Sequence, residues 1–265
     1  MTRSEEALTS LGFRFGINGP HAARTMMIDD LKQLLEHVPI EAEQGAYAQA
    51  VIEENMLGKP TKKARELSYR HLTALYGLNQ SNPLFRALRR LWRQDTAAQP
   101  LLALAVAMAR DPLLRATQKF VLDQSLGMHQ PREAVEELLA GQNPDRFSPA
   151  SLKSFAQNIA GTWTSAGYFS GRNRKTRIAP DVRPENVAMC LFLGYLEGRS
   201  GQALFHSSWM QLLALPLEEL ERLANAAAHR GEIVFMNAGG VKEVRFPDYL
   251  TPDEEQTRQE LGHDL

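Results

Sequence analysis

Four arginines in the segment "NPLFRALRRLWRQ" have the spacing of a single helix face. They follow the pattern i, i+3, i+4, i+7 as Arg86, Arg89, Arg90 and Arg93. Apolar residues fill the opposite side, so the pattern predicts a helix whose arginines point outward. Neighbouring guanidinium groups repel one another by about 0.2–0.5 kcal/mol per pair. Such a stripe is therefore best tolerated where carboxylates or phosphates neutralise it.

The helix predicted just before this stripe has the same character. Its basic residues are Lys62, Lys63, Arg65 and Arg70. Two neighbouring basic helices joined by a short turn would form one surface for a polyphosphate strand, and each phosphate contact on duplex DNA contributes about −0.9 to the salt dependence of binding. The competing interpretation is a solvated face that pairs with the acidic segment Asp29–Glu54 or with the acidic tail after Pro247.

Two further basic groups are predicted binding elements. The segment "SGRNRKTRIAP" follows the aromatic pair Tyr168 and Phe169, and a loop of this kind can follow a phosphate backbone without fixed secondary structure. Its basic residues are Arg172, Arg174, Lys175 and Arg177. The competing interpretation is a connector that charge keeps soluble. A predicted hairpin near the C-terminus adds Lys242 and Arg245, for which a plain hairpin is the competing interpretation.

The side chains that could support catalysis or bind a metal lack the required spacing. The seven histidines fall at no metal-ligand spacing, and a single cysteine cannot build a thiolate zinc site. Cys190 lies in the apolar stretch "NVAMCLFLGYL", which is typical of a buried thiol. The Gly-rich turn "NAGG" lacks the lysine and the following helix of a phosphate-binding loop. We therefore expect no catalytic residue, no bound metal and no cofactor.

The overall charge of −1 hides a strong separation of charges along the chain. Nine basic residues and one acid lie between Lys59 and Arg93, whereas the segment after Pro247 is acidic. Such separation concerns partners rather than fold. The start of the chain lacks an apolar signal segment, the cysteine is single, and the longest aliphatic run, Leu101–Ala109, is short. These features predict a cytoplasmic protein with no membrane partner.

Helical periodicity dominates the elements that must position these residues. The stretch "GQNPDRFSP" predicts a boundary between a helical domain with the basic helices, 1–145, and a winged-helix-like domain with an acidic tail, 146–265. We expect a mainly α fold, a helical bundle with helix-turn-helix-like modules and a C-terminal winged β-hairpin in "EIVFMNAGGVKEVRFP". An ordinary α+β cap is the competing fold. The tail has few apolar residues, which predicts disorder.

Three stretches of the chain resemble the BrxA family of the BREX phage-defence systems. They are "YAQAVIEENMLGKPTKKARELSYRHLTALYGL" followed by "PLFRALRRLW", then "WTSAGYFSGRNRKTRIAPDVRPENVAMCLFLGYLEG", and finally "LFHSSWMQLLALPLEELERLANAAAHRGEIVFMNAGGVKEVRFP". The resemblance covers about Glu41 to Pro247. The chain is longer than typical members near both ends.

The resemblance to BrxA implies a helix-rich protein that binds double-stranded DNA within a multi-gene defence island and has no catalytic activity of its own. It also makes RNA an alternative ligand, since the family fold has been likened to an RNA-binding antitermination factor. Other BREX proteins become candidate partners. An older description of the family as an inner-membrane protein conflicts with the hydropathy of this chain.

Three functional hypotheses remain. The first is a non-catalytic accessory protein that binds duplex DNA with little sequence readout. The second is a protein-interaction scaffold whose basic stripe docks an acidic subunit and is masked by the acidic tail in the free protein. The third is a sequence-specific regulator with Glu218–Arg230 as recognition helix, which is disfavoured because that helix offers few base-reading side chains. DNA and RNA both stay candidate ligands, and the sequence predicts no particular oligomeric state.

Overall fold

The computed structural model describes residues 2–142, 144–172 and 174–263. Its helices are α1 (Arg3–Ser10), α2 (Ile28–His37), α3 (Gln44–Ala48), α4 (Lys62–Tyr76), α5 (Pro83–Trp92), α6 (Gln99–Arg110), α7 (Pro112–Arg115), α8 (Gln118–Leu122), α9 (Arg132–Gln142), α10 (Pro149–Ser165), α11 (Pro184–Leu196), α12 (Gly201–Phe205), α13 (Ser208–Leu212), α14 (Leu217–His229) and α15 (Pro252–His263). Its strands are β1 (His129–Gln130), β2 (Phe169–Ser170), β3 (Lys175–Arg177), β4 (Val234–Ala238) and β5 (Val241–Arg245).

Side-chain caps fix the two helices that the basic pattern predicts. The Thr61 hydroxyl accepts a hydrogen bond from the backbone N–H of Ala64 at 3.1 Å and so begins α4. The Asn82 side chain accepts from the N–H of Leu84 at 3.0 Å, and Pro83 occupies the first turn of α5. Gly77 ends α4 with a φ of 88°, a left-handed backbone that glycine adopts without strain. Both helices begin where the sequence predicts.

The C-terminal part of the chain contains the predicted run of helices followed by a hairpin. Strands β4 and β5 pair antiparallel from Val234↔Arg245 to Ala238↔Val241, and the turn is Gly239–Gly240. Both glycines have positive φ, which the tight turn requires. The expectation of a mainly α fold with a C-terminal β-hairpin is therefore confirmed.

One hydrophobic core connects the two halves of the chain. Helix α6 is its centre, because each of its residues from Leu101 to Ala109 is at most 3% exposed. Helices α5 and α11 pack against α6, and the cluster extends from Leu11 near the start to Leu261 near the end. The division into domains 1–145 and 146–265 stays a prediction, and side chains from both segments share this core.

Two segments have more structure than the sequence predicts. The basic loop of 170–180 forms strand β3, which pairs with β2 and with β1 in a small antiparallel sheet. The acidic tail is helical rather than disordered: the Thr251 hydroxyl caps α15, and Leu261 is 7% exposed in the core. The prediction that this tail is disordered is wrong, because one apolar residue and several polar contacts anchor α15.

None of the helices in the described ranges is both long and apolar enough to cross a bilayer.

Candidate nucleic-acid interface

The predicted arginine stripe on α5 is not an exposed surface. Arg89 is 2% exposed and donates hydrogen bonds to the carbonyls of Leu35 at 2.7 Å and Val38 at 2.8 Å. These carbonyls lie at the C-terminal end of α2, where helical acceptors lack partners within the helix. Burial lowers the pKa of the Arg89 guanidinium from its ordinary value. The expectation that Arg89 points outward is wrong, because this side chain is a buried helix cap.

The acidic tail covers the next part of the stripe. Arg86 donates to the Tyr249 carbonyl at 3.1 Å, pairs with the Glu254 carboxylate and is 24% exposed. Arg90 donates to the Pro247 carbonyl at 3.0 Å and lies 4.5 Å above the Tyr249 ring. The competing interpretation, in which the stripe pairs with the acidic tail, is confirmed for Arg86. Arg93 alone of the four is exposed.

Two other residues that the sequence predicts to contact phosphate donate hydrogen bonds to backbone carbonyls instead. Arg65 donates to the Ile52 carbonyl at 2.6 Å, at the end of the π-helical stretch Gln49–Glu53. Arg177 is 3% exposed and donates to the Val121 carbonyl at 3.2 Å. Burial lowers the pKa of Arg177. These side chains stabilise the fold and present little charge to solvent.

The predicted wing presents one basic side chain rather than two. Lys242 is 9% exposed, pairs with Glu221 of α14 at 2.5 Å and lies 5.0 Å above the Phe205 ring. Arg245 is exposed and pairs with Glu243 at 2.8 Å on the same strand. The expectation of Lys242 as a solvent-facing ligand is wrong, because it attaches the hairpin to α14.

The remaining predicted residues form two exposed basic groups. On α4 these are Lys62, Lys63 and Arg70, and on the β2–β3 turn they are Arg172, Arg174 and the half-buried Lys175. The ion pairs found among the described residues include none of these six. Helix α10 lies between the two groups: Ser165 lines a cleft with residues of α4, and Gln157 lines another with Arg172.

A cleft of about 550 Å³ lies beside Arg70, and most of its lining was not predicted. Its basic side chains are Arg14, Arg70, His71 and Arg110, and its other polar or aromatic side chains are Asn18, Gln44, Tyr69 and Thr73. None of the described residues that line it is Asp or Glu. The cleft therefore concentrates positive charge without a carboxylate on its walls.

Burial and neighbouring positive charges both act on the titratable groups of this cleft. Burial, together with the smaller effect of the neighbouring Arg14, lowers the pKa of Arg110 to about 10. Burial also lowers the pKa of His71, with added contributions from the positive charges of Arg24 and Arg70. His71 is therefore neutral near pH 7, since its ordinary pKa is already about 6.5. An anion in the cleft would oppose the part of both shifts that comes from the neighbouring positive charges.

Arg110 has a structural role as well as an electrostatic one. Its guanidinium donates hydrogen bonds to the carbonyl of Ala74 at 3.1 Å, to that of Thr73 at 3.4 Å and to that of Gly12. It thereby satisfies acceptors in the last turn of α4. Arg14 and Arg70 are exposed, and the one Arg14 contact to Ala74 is long, at 3.5 Å. These two arginines are the ones that can rearrange around a ligand.

A buried polar triad behind the cleft has the geometry of a nucleophile with its base. His21 contacts Asp111 through Nδ1 at 2.8 Å and the Thr162 hydroxyl through Nε2 at 2.7 Å. All three residues are 0% exposed, and the Thr162 oxygen also accepts the backbone N–H of Met26 at 2.9 Å. A substrate cannot reach this hydroxyl. The triad instead ties the segment before α2 to α6 and α10.

Sequence reasoning missed the cleft for an identifiable reason. Arg14 and Asn18 come from an irregular segment, and Arg110 ends an otherwise apolar helix, so no periodicity connects them. The sequence signal that was available is the pair Arg70–His71 on α4, which lies in a predicted basic helix. In the described ranges no cluster of three His, Cys, Asp or Glu side chains is close enough to hold a metal ion.

Comparisons with known proteins inform the fold and leave the function open. No family model matches the chain, and no curated protein matches it. A solved structure described as "SspB crystal structure" is similar, with a TM-score of 0.54 and 8% sequence identity over 97% of this chain and 100% of that one. At this identity the likeness concerns the fold alone. The resemblance to the BrxA family stays a prediction.

Proposed function

We propose that the protein binds double-stranded DNA without catalysing a reaction, as an accessory protein of a bacterial BREX phage-defence system. The BrxA resemblance is the basis for the defence role and for a cytoplasmic location. The phosphate contacts are proposed for the exposed basic residues of α4, for the rim of the adjacent cleft and for the β2–β3 turn. The proposed surface does not include helix α5.

The observation that carries the proposal is a group of exposed positive charges that form no ion pair among the described residues. Lys62, Lys63 and Arg70 are exposed on α4, and the cleft beside Arg70 has no carboxylate among its described lining residues. Release of condensed counterions makes such a surface favourable for a polyphosphate. In α5, by contrast, Arg86 and Arg89 already have partners within the chain.

The exposed groups favour binding with little sequence readout. Lysine and arginine on α4 and on a turn contact phosphates, which fix orientation and carry no base information. Helix α14 is a poor recognition helix, because Arg222 pairs with Glu219 at 2.6 Å and Arg230 pairs with Glu185. We therefore expect similar affinities for duplexes of unrelated sequence.

The direct test is fluorescence anisotropy with a labelled 30-bp duplex at several salt concentrations. We expect binding that weakens steeply between about 50 and 200 mM salt. The variant with Lys62→Glu, Lys63→Glu and Arg70→Glu should bind at least about tenfold more weakly at 100 mM salt, and its salt slope should be smaller by about 2 to 3. The matched RNA duplex, measured in parallel, distinguishes the two ligands.

A matched control reverses three exposed charges outside this surface. The variant with Lys119→Glu, Lys153→Glu and Arg222→Glu has the same change in net charge, so it should lose affinity less than the α4 variant. Equal losses would mean that only net charge matters. Unchanged binding by the α4 variant would contradict the proposed site.

The scaffold function is the second candidate, and one observation favours it. Glu254 and Tyr249 of the tail cover Arg86 and Arg90, as expected if the tail masks a docking surface. A partner with an acidic helix would have to displace α15. Capture of the same partner from a nuclease-treated lysate by the full chain, and more strongly by a Glu254→Gln variant, would support this function over DNA binding.

A further inference from the structure

We infer that the cleft beside α4 is a nucleotide-binding site, which takes a phosphorylated nucleoside with the phosphate near Arg14 and Arg70 and the base against Tyr69. The ligand is either a free nucleotide or an unpaired nucleotide of a nucleic-acid strand. The second source deepens the proposed function and rests on it, whereas the first does not require it.

The volume of the cleft suits a small ligand rather than the body of a duplex. Its volume of about 550 Å³ lies within the range of about 300–1,000 Å³ that is common for small-molecule sites. A duplex presents its phosphates on a convex surface, so only a group that projects from it can enter a cleft of this size. A single nucleotide satisfies that condition.

The cationic part of the lining selects a phosphate. Arg14 and Arg70 are exposed and can turn their guanidinium groups toward a ligand, and guanidinium forks match phosphate oxygens in geometry. Arg110 has its donors on the carbonyls of Thr73, Ala74 and Gly12, so it contributes charge rather than direct contacts. With no carboxylate among the described lining residues, the ligand must bring the negative charge itself.

The remaining lining suits a base. Tyr69 is half-buried and lines the same cleft as Arg70, so the lining includes both an aromatic ring and a cation. Bases stack on aromatic side chains irrespective of sequence. Asn18 and Gln44 add amide groups, which pair with base edges, adenine above all. An inorganic phosphate or an acidic peptide would use only the cationic part.

His71 supplies a spectroscopic signature for the site. The charges of Arg24 and Arg70 act on this ring in addition to burial, and together they lower its pKa. A bound phosphate compensates those charges, so the pKa of His71 should rise when the ligand binds. A ligand that binds elsewhere leaves the titration of His71 unchanged.

The first arm of the test is calorimetry with adenosine 5′-monophosphate and with inorganic phosphate. We expect the nucleotide to bind with a dissociation constant between about 10 µM and 1 mM, and at least fivefold more tightly than phosphate. Tyr69→Leu should remove this advantage, while Arg70→Met should weaken both ligands. Phe147→Leu, a half-buried aromatic outside the cleft, is the matched control and should change neither. Gln44→Ala replaces Tyr69→Leu if the latter does not fold.

The second arm distinguishes the two sources of nucleotide. Anisotropy compares a blunt duplex with the same duplex carrying a short 5′-phosphorylated single-stranded overhang. An overhang that binds at least fivefold more tightly, with a gain that Tyr69→Leu abolishes, supports a strand nucleotide. Binding of the monophosphate without any gain from the overhang supports a free nucleotide.

The outcomes keep the inference separate from the proposed function. If neither the monophosphate nor the overhang binds through Tyr69 while the blunt duplex still binds, the nucleotide site is wrong and duplex binding stands. If the monophosphate binds and no duplex does, the nucleotide site stands and the proposed function is wrong. Binding of a poly-glutamate peptide with the affinity of the monophosphate would overturn the inference, because the base would then contribute nothing.

Discussion

The arginines of α5 and the two exposed arginines of the cleft have the same side chain in different surroundings. Arg89 caps the carbonyls of α2, and Arg86 pairs with Glu254, so these two arginines of the stripe already have partners within the chain. Arg14 and Arg70 are exposed beside a cleft whose described lining has no carboxylate. A regular spacing of arginines therefore does not show how much positive charge a ligand can contact. What matters is whether a carbonyl or carboxylate of the same chain is within reach.

The comparison also points to a second use of arginine in this protein, at the ends of helices. A guanidinium carries five N–H donors and can satisfy several helix-terminal carbonyls at once. Arg65, Arg89 and Arg110 do this at the ends of the π-helical stretch, α2 and α4. Arg115 does the same for the Ala109 carbonyl of α6 at 3.2 Å. These four arginines thus stabilise helix ends.

The largest expected effect separates Arg89 from Arg93 on the same helix. Arg89→Met leaves the buried carbonyls of Leu35 and Val38 without donors, which should reduce the free energy of unfolding by about 3 kcal/mol. Arg93→Met changes an exposed residue and should stay within about 0.5 kcal/mol. Urea unfolding followed by circular dichroism measures both. Equal effects would mean that the cap at Arg89 contributes little.

The next effect concerns Asp111, the carboxylate that follows Arg110 of the cleft. Burial opposes its ionisation, but hydrogen bonds from His21 and from the Leu114 N–H outweigh burial and lower the pKa of Asp111. The stabilisation is therefore complete above its unfolded pKa of about 3.9 and is lost as the pH falls through the lower native value. At pH 7, Asp111→Asn should cost about 2 kcal/mol.

The pH dependence of this cost is the decisive measurement. The difference between the wild-type protein and Asp111→Asn should shrink as the pH falls below about 3.9, because the carboxyl of the unfolded chain then takes up a proton before the native carboxyl does. Chemical unfolding at a series of pH values measures it. A difference that is constant down to pH 3 would show that lost packing, not lost charge, explains the effect.

Local patterns predicted the elements, because their causes lie within a few residues of the chain. The caps Thr61 and Asn82, the Pro83 start and the Gly239–Gly240 turn each act on their own neighbours. The fold class and the hairpin followed from such signals. The helical tail was missed because its anchors, Arg86 and Tyr195, come from distant parts of the chain.

The candidate site was only partly predictable for the same reason. Lys62, Lys63 and Arg70 were identified from a local amphipathic pattern, and their exposure agrees with it. The partners of Arg89 and Lys242 are 54 and 21 residues away in sequence, so no pattern of spacing reveals them. Arg14 and Arg110 join Arg70 only through tertiary packing.

A smaller effect tests the neutralisation of the stripe by the tail. Arg86 and Glu254 are 24% and 16% exposed, so their pairing is partly shielded from water. A double-mutant cycle with Arg86→Ala and Glu254→Ala should give a coupling of about 1 kcal/mol in the free energy of unfolding. Arg245 and Glu243, which are 60% and 51% exposed, form the control pair and should give a smaller coupling. A coupling near zero for the Arg86–Glu254 pair would mean that the tail contacts Arg86 without stabilising its charge.

The smallest expected effect tests whether positive charge acts on the groups of the cleft. Removing one arginine from a set of uncompensated charges should relieve repulsion rather than break a bond. Arg70→Met should therefore raise the pKa of His71 toward its ordinary value, leaving the contributions of burial and Arg24 in place. Stability should change by no more than about 0.5 kcal/mol. Arg93→Met is the control, and the pKa of His71 should not change in that variant. NMR titration of the imidazole measures the shift, and an unchanged pKa of His71 in Arg70→Met would mean that the charge of Arg70 is already neutralised, as that of Arg86 is by Glu254.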